Sequence, residues 1–161
     1  MKITAQHRYA HDVAAVYATF IDAKAIQAKQ KALGARTVRV TECDVGPDKA
    51  SVMFDRELPA TVPDVLRRFI QPWNHVEQSE EWRRTENGFA AQLSLSISGV
   101  PVDVSGSLRL KPVEGGCVNQ VRIEVRCGIP FVGKTLAEFV AADCERLIAE
   151  EYDYITALLD A

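Results

Sequence analysis

No apolar run in this chain approaches the ~20 residues that a membrane-spanning helix needs. That excludes integral membrane association from the reading. The first eight residues, Met1 to Arg8, turn polar at once and hold no apolar signal core, so a cytoplasmic protein is expected. There are only three histidines, and the four cysteines (Cys43, Cys117, Cys127 and Cys144) never fall at Cys-x-x-Cys spacing. A zinc site therefore lacks its ligand pattern, and a disulfide framework is disfavoured. Three of the four cysteines lie in apolar or strand-like segments, where a free thiol behaves as a small hydrophobe. Basic blocks are missing too. The 19 Lys and Arg residues are scattered and the formal net charge is -3, which argues against nucleic acid or an anionic membrane surface as main partner. Internal repeats, low-complexity tracts and interdomain linkers are absent.

What remains is an ordinary globular composition, 47% apolar and 25% charged over 161 residues. That fits a single domain over 1–161 with a sizeable core. Ile3, Ala5, His7 and Tyr9 alternate with polar neighbours as a half-buried strand. Asp12 is a good N-cap for a helix from Val13 to about Ile21. A second helix runs from about Ala23 to Leu33, with Gly34 as its stop. Arg36 to Val45 reads as a strand, Gly46 to Lys49 as a turn, and Ala50, Val52, Phe54, Arg56 and Leu58 as the inward set of the next strand. Pro63 opens a short amphipathic turn carrying Val65, Leu66, Phe69 and Ile70. Strands resume at about Val76, turn at Asn87-Gly88, and continue inward through Phe89, Ala91, Leu93, Leu95 and Ile97. Val102, Val104, Leu108 and Leu110 extend that face, with Gly106 expected as a bulge or bend. After Glu114-Gly115-Gly116, the residues Val121, Ile123, Val125 and Cys127 line the last strand. A long amphipathic helix from about Val132 to Leu159 closes the chain.

The most conspicuous motif is Gly128 to Thr135, which fits G-x-x-x-x-G-K-[ST] after a strand and before a helix. Its chemistry is wrong for a phosphate loop. Ile129-Pro130-Phe131-Val132 brings bulk where backbone amides should wrap phosphate, and Pro130 removes one donor. Only one helix remains after it, whereas a nucleotide-binding parallel sheet needs further strand–helix units. The run Val52 to Asp55 lies upstream, in the wrong order to hold magnesium. The segment is expected to pack the start of the last helix, with Gly133 as a tight bend.

Polar residues at apolar positions carry the functional signal. Leu136, Val140, Cys144, Leu147, Ile155 and Leu158 form a stripe on the last helix, and Glu151 falls in its middle. An ionised carboxylate there must meet a cation, reach water in a cavity or have a raised pKa. Arg56 stands in the inward set of its strand, Gln78 and Glu80 share the face of Trp82, and His7 stands inward on the first strand. These groups either pair among themselves or serve as polar anchors of an apolar pocket. No nucleophile, metal set or oxyanion signature accompanies them, so no catalytic residue, metal or cofactor is assigned. The serines at 94, 96, 98 and 105 read as solvated strand positions with no G-x-S-x-G around them.

Strand, Asp-capped helix with Val16-Tyr17, second short helix ending at Gly34, six-strand meander and long C-terminal helix together resemble the START-like (SRPBCC, polyketide cyclase/birch-pollen-allergen type) superfamily. Three stretches carry a narrower likeness to a branch of it known as a domain of unknown function. They are His7-Arg8-Tyr9, Arg56-Glu57-Leu58-Pro59 leading to Val62-Pro63, and Ile129 to Gly133. The resemblance implies an α+β helix-grip fold, a curved antiparallel sheet wrapped around the C-terminal helix. It also implies a cavity between them for a lipid, sterol, polyketide or other hydrophobic small molecule. The candidate ligand-binding set is Phe54, Arg56, Trp82, Leu93, Leu95, Val104, Leu108, Ile123, Leu147, Glu151 and Tyr154. Two alternatives stay open: a polyketide cyclase/dehydratase-type enzyme using His7, Glu80 or Glu151, and a protein-interaction module presenting Val65, Leu66, Phe69 and Trp73. A homodimer is also left open.

Overall fold

In the computed structural model, which describes residues 1–161, the alternating segments become seven strands of one antiparallel sheet. They are β1 (Lys2–Tyr9), β2 (Arg36–Val45), β3 (Lys49–Pro59), β4 (Trp73–Arg84), β5 (Phe89–Ile97), β6 (Asp103–Val113) and β7 (Gly116–Arg126). Their order across the sheet is β1-β7-β6-β5-β4-β3-β2. Every connection from β2 to β7 joins neighbours, and β1 pairs with β7, as in Ile3 with Ile123 and Tyr9 with Cys117. Three helices complete the chain: α1 (Val13–Ile21), α2 (Ala23–Ala32) and α3 (Gly133–Asp160). The architecture is α+β, a curved sheet gripping a long C-terminal helix.

Local chemistry explains the corners. Asp12 Oδ1 accepts from the Ala14 amide at 2.9 Å and Asp22 Oδ2 from the Ala25 amide at 2.8 Å, so each short helix has an acidic cap. Gly34 adopts φ +95° and stops α2, a left-handed conformation in which L side chains are strained. Alternation holds along β3, where Ala50, Val52, Phe54, Arg56 and Leu58 are all buried. One end of the core gathers aromatics: Tyr17 stacks on Phe89 at 3.6 Å between centroids, and Trp82 lies edge-on to Tyr17 and tilted against Phe20.

Several expectations need correction. β4 begins at Trp73, three residues ahead of Val76. Asn74 ties back to Gln71 through two hydrogen bonds and closes the turn early. Gly106 is not a bulge, since the register runs unbroken past it on both sides, opposite Leu93 and Ile123. The register shifts lie instead between β2 and β3, at Arg36/Arg39 and Val40/Glu42. Phe131 does not pack the start of α3. It has φ +68° and its side chain is fully in solvent, while Val132 alone of that pair packs on the core. Leu158 is also exposed, at 46%, because the buried face of α3 drifts around the helix. Leu136 and Val140 carry it at the start; Tyr152, Ile155 and Leu159 carry it at the end. Of the proposed interaction patch, Leu66 is buried and Phe69 half-buried; Trp73 lies under the Arg36 guanidinium, 3.8 Å from its ring centre. Only Val65 is strongly exposed.

Candidate functional site

Alternation along β3 to β7 turns one residue in two toward α3, and the helix does not fill the concavity it covers. Two adjoining cavities remain. The larger, about 90 Å³, is walled by Leu93 and Leu95 of β5, Val104 and Leu108 of β6, and Asn119, Val121 and Ile123 of β7. His7 closes it from β1, Gln30 and Leu33 from the end of α2, and Leu147, Ile148 and Glu151 from α3. The smaller, about 60 Å³, reaches toward the β3–β4 and β5–β6 loops through Leu58, Ile70, Ile97, Val100, Phe139 and Val140, among others. Arg56, Leu95, Cys144 and Leu147 border both and form the partition between them.

Arg56 is 4% exposed. Its Nη2 donates to Gln78 Oε1 at 3.0 Å, Gln78 Nε2 donates to Glu80 Oε2 at 2.7 Å, and Trp82 Nε1 donates to Glu80 Oε1 at 3.0 Å. These residues sit two apart on β4, and Gln78 stands opposite Phe54 on β3, so the strand pairing itself sets up the relay. Burial lowers the guanidinium to about 10, against the pull of Glu80 and Glu151, which leaves it protonated at neutral pH. Burial raises the Glu80 carboxyl and Glu151 adds to this; Lys29 and the two hydrogen bonds oppose it. His7 stacks on Tyr152 at 4.4 Å. Burial lowers its pKa, while the charges of Glu151 and Asp153 act the other way, so the ring is neutral at pH 7. The Cys144 thiol is pushed up to about 11 by burial and by Asp143, so it stays protonated.

Glu151 meets a cation, but not Arg56. Its Oε2 lies 3.1 Å from Lys29 Nζ, whose side chain is 5% exposed and sits over the Phe20 ring. Of the residues expected from the sequence, Arg56, Leu93, Leu95, Val104, Leu108, Ile123, Leu147 and Glu151 line the cavities. Phe54, Trp82 and Tyr154 do not. Phe54 packs with Ile26 of α2 and with Val52 in a separate small cluster. Trp82 is in the aromatic core and acts on the site only through its bond to Glu80. Tyr154 is half-buried on the core, turned aside by the drift of the α3 face.

The sequence reading missed Lys29, Gln30, Leu33 and Asn119. For the first three the signal was Ile26, whose helical face continues at i+3, i+4 and i+7. For Asn119 it was the alternation of β7, carried one step back from Val121.

No helix is long and apolar enough to cross a membrane. Among solved structures the chain is similar to TTHA0849 from Thermus thermophilus, at 14% identity and TM-score 0.62, covering 98% of this chain and 99% of that one. It is similar to the Zhui aromatase/cyclase from Streptomyces sp. R1128, at 10% identity and TM-score 0.63, covering 99% and 93%. It is also similar to Ara h 8.0201, at 9% identity and TM-score 0.58, covering 98% of each chain. At such identities these likenesses establish the START-like fold and nothing finer. No curated protein matches the sequence. The family match extends over residues 4–159 and therefore over both cavities and the partition between them; the chain belongs to DUF2505, described as a protein of unknown function.

Proposed function

We propose that this chain binds and carries a hydrophobic small molecule between the sheet and α3. The observation that carries the reading is the unfilled interior. Protein cores pack to crystal density with few voids larger than water, yet here two partly open cavities adjoin at Arg56, Leu95, Cys144 and Leu147. Their walls are mainly aliphatic, with a few convergent polar groups, the usual make-up of a ligand site. Their volumes, about 60 and 90 Å³, are small beside the ~300–1,000 Å³ of typical ligand pockets. A ligand of single-ring size suits them as they stand, and a lipid or sterol requires α3 to move outward. Native mass spectrometry after gentle purification should reveal a co-purified ligand, and a small fluorescent apolar probe should bind and be displaced by it. The absence of both a retained mass and probe binding would end this reading.

A second reading rests on a specific observation: His7 and Glu80, two groups with burial-shifted pKa values, border the same cavity. One fold-mate is named an aromatase/cyclase. Acid–base catalysis of a cyclisation or dehydration is the corresponding activity. Turnover of a poly-β-carbonyl substrate that vanishes in Glu80→Gln supports it; absence of turnover across such substrates removes it.

A further inference from the structure

Away from the cavities, the outer face of the sheet holds a serine, a histidine and an aspartate in one hydrogen-bonded chain. Ser98 Oγ, one residue past β5, lies 3.1 Å from His75 Nδ1 on β4, and His75 Nε2 lies 3.2 Å from Asp55 Oδ1 on β3. Strand pairing places all three. Glu57 is the register partner of His75, which sets Asp55 diagonally across from the ring, and the Ser98 amide bonds to the His75 carbonyl at 3.0 Å. Ser98 is exposed and the His75 side chain is 41% exposed, so reagents in solution reach both. Asp55 is buried beneath His75 and Arg39, although it belongs to the outward set of β3. Burial raises its carboxyl, but the hydrogen bonds from His75 and Arg39 outweigh that and hold it below the ordinary carboxylate range.

An ionised carboxylate only accepts, so Nε2 of the neutral ring carries its proton toward Asp55. That tautomer leaves a lone pair on Nδ1, facing the Ser98 hydroxyl. The result is the proton arrangement of nucleophile, base and orienting acid, with the two ring nitrogens exchanged relative to the usual order. The turn after Ser98 adds a further part. Val100 N bonds to Ile97 O at 3.0 Å, Gly99 takes φ +74°, and the Gly99 amide stays outside the backbone hydrogen bonding. That N–H directly follows the nucleophile, a position from which an oxyanion is received in other hydrolases. A Cβ at Gly99 would meet nothing within 4 Å, so a reacting group has room above the turn. Glu57, the other carboxylate beside the ring, is engaged by Arg36 at 3.4 Å and by Thr37 at 3.0 Å. Thr37 makes its bond from φ +54°, a strained conformation for a β-branched residue and of the kind that gathers at functional sites.

We infer that Ser98, His75 and Asp55 form a second site, independent of the cavities, that hydrolyses small uncharged carboxylic esters. Ser98 Oγ bonds to the carbonyl carbon as its proton passes to His75 Nδ1. The ester C–O bond then breaks, and the departing alcohol takes that proton. Water, deprotonated by the same nitrogen, attacks the acyl-serine; the bond to Oγ breaks, the carboxylic acid leaves and Ser98 regains its proton. Asp55 is a positioning residue that fixes the ring tautomer without touching the ester. The open turn supplies no enclosing wall, and Asp55 and Glu57 repel anions, which is why the substrate is compact and uncharged.

The test treats the full chain, at mildly alkaline pH, with an alkyl fluorophosphonate and separately with p-nitrophenyl acetate followed by acid quench. Peptide mass spectrometry should find the phosphonyl and the acetyl group on Ser98. Release of p-nitrophenol should be at least about tenfold slower in Ser98→Ala, and His75→Gln should remove both adducts. Nitrogen NMR of the His75 ring should show its proton on Nε2 in the wild type and a loss of that preference in Asp55→Asn. Adducts absent from Ser98, or formed equally in His75→Gln, would overturn the inference. So would unchanged release in Ser98→Ala, or a wild-type ring protonated on Nδ1 alone. The wild-type adduct map decides the matter even if a variant fails to fold.

Discussion

Lys29 and Glu151 show how a single residue pair decides what a substitution does. A buried ammonium deprived of its carboxylate keeps its desolvation cost and loses the attraction that offset it. Glu151→Leu is therefore expected to lower stability by roughly 1–3 kcal/mol in urea melts, discounted because Glu151 is partly exposed. Lys29→Met in the same chain should restore most of that loss; a double variant no better than the single would show that the pair is not coupled. The position of Glu151 in an apolar stripe and of Arg56 in an inward strand set was legible from periodicity alone. Their partners were not, because pattern fixes the face a residue occupies and says nothing of which element covers that face. His7 supplies a pH dependence. Burial holds its folded pKa below the ordinary 6.5, so the unfolded chain binds the proton more readily. Its contribution is thus present above about 6.5 and lost as pH falls from there through the folded value. Glu80, with a raised pKa, acts with the opposite sign, losing stability as pH rises through its folded value. His7→Gln should flatten the decline of the urea midpoint below about pH 6.5 relative to wild type, and an unchanged decline would assign it to other groups.

Strands were readable where apolar residues recur at every second position, as in β3 and β5, although Asp55 and Ala90 on the other face are buried too. They were misread where a neighbour's backbone sets the outcome. Gly106 is the instructive case. A glycine inside a strand pattern is compatible with a bulge or with close backbone approach, and only the latter is found. A methyl group at this position would stand 2.2 Å from the Arg122 carbonyl oxygen and 2.7 Å from Ile123 Cδ1. The side chain could yield but the β7 backbone could not without breaking the ladder. Gly106→Ala is expected to cost on the order of 1–3 kcal/mol, read as a lower urea midpoint at unchanged slope. An unaffected midpoint would mean that β6 and β7 separate freely there. The stripe on α3 failed for a related reason. A straight-helix projection keeps one angular sector buried over 28 residues, whereas the twisted sheet beneath rotates the contact line toward Tyr152, Ile155 and Leu159. Hence Leu158 left the expected interior, and Tyr154 packs on the core beside the cavities rather than lining them.

For the molecule as a whole, the antiparallel order decides between the two readings that Gly128 to Thr135 invites. A phosphate loop needs a parallel sheet with helices feeding its strand ends, but here the motif leaves the last strand of a meander and Lys134 points into solvent toward Glu138. The same meander, closed by one helix rather than two layers, leaves more inward surface than α3 can cover. That geometric excess is why cavities survive on both sides of Arg56 and Leu147. Filling them tests whether the space is used. Leu147 borders both cavities from the helix side, so a larger ring at this position occupies volume that a ligand would take. Leu147→Phe should leave the thermal midpoint unchanged or raise stability by up to about 1 kcal/mol, as cavity-filling substitutions do where space exists. It should also weaken binding of the apolar probe by tenfold or more. A variant that melts like wild type and still binds the probe with full affinity would place the ligand outside these cavities. A variant that melts lower would mean that the sheet and α3 close more tightly about Leu147 than the cavity volumes imply.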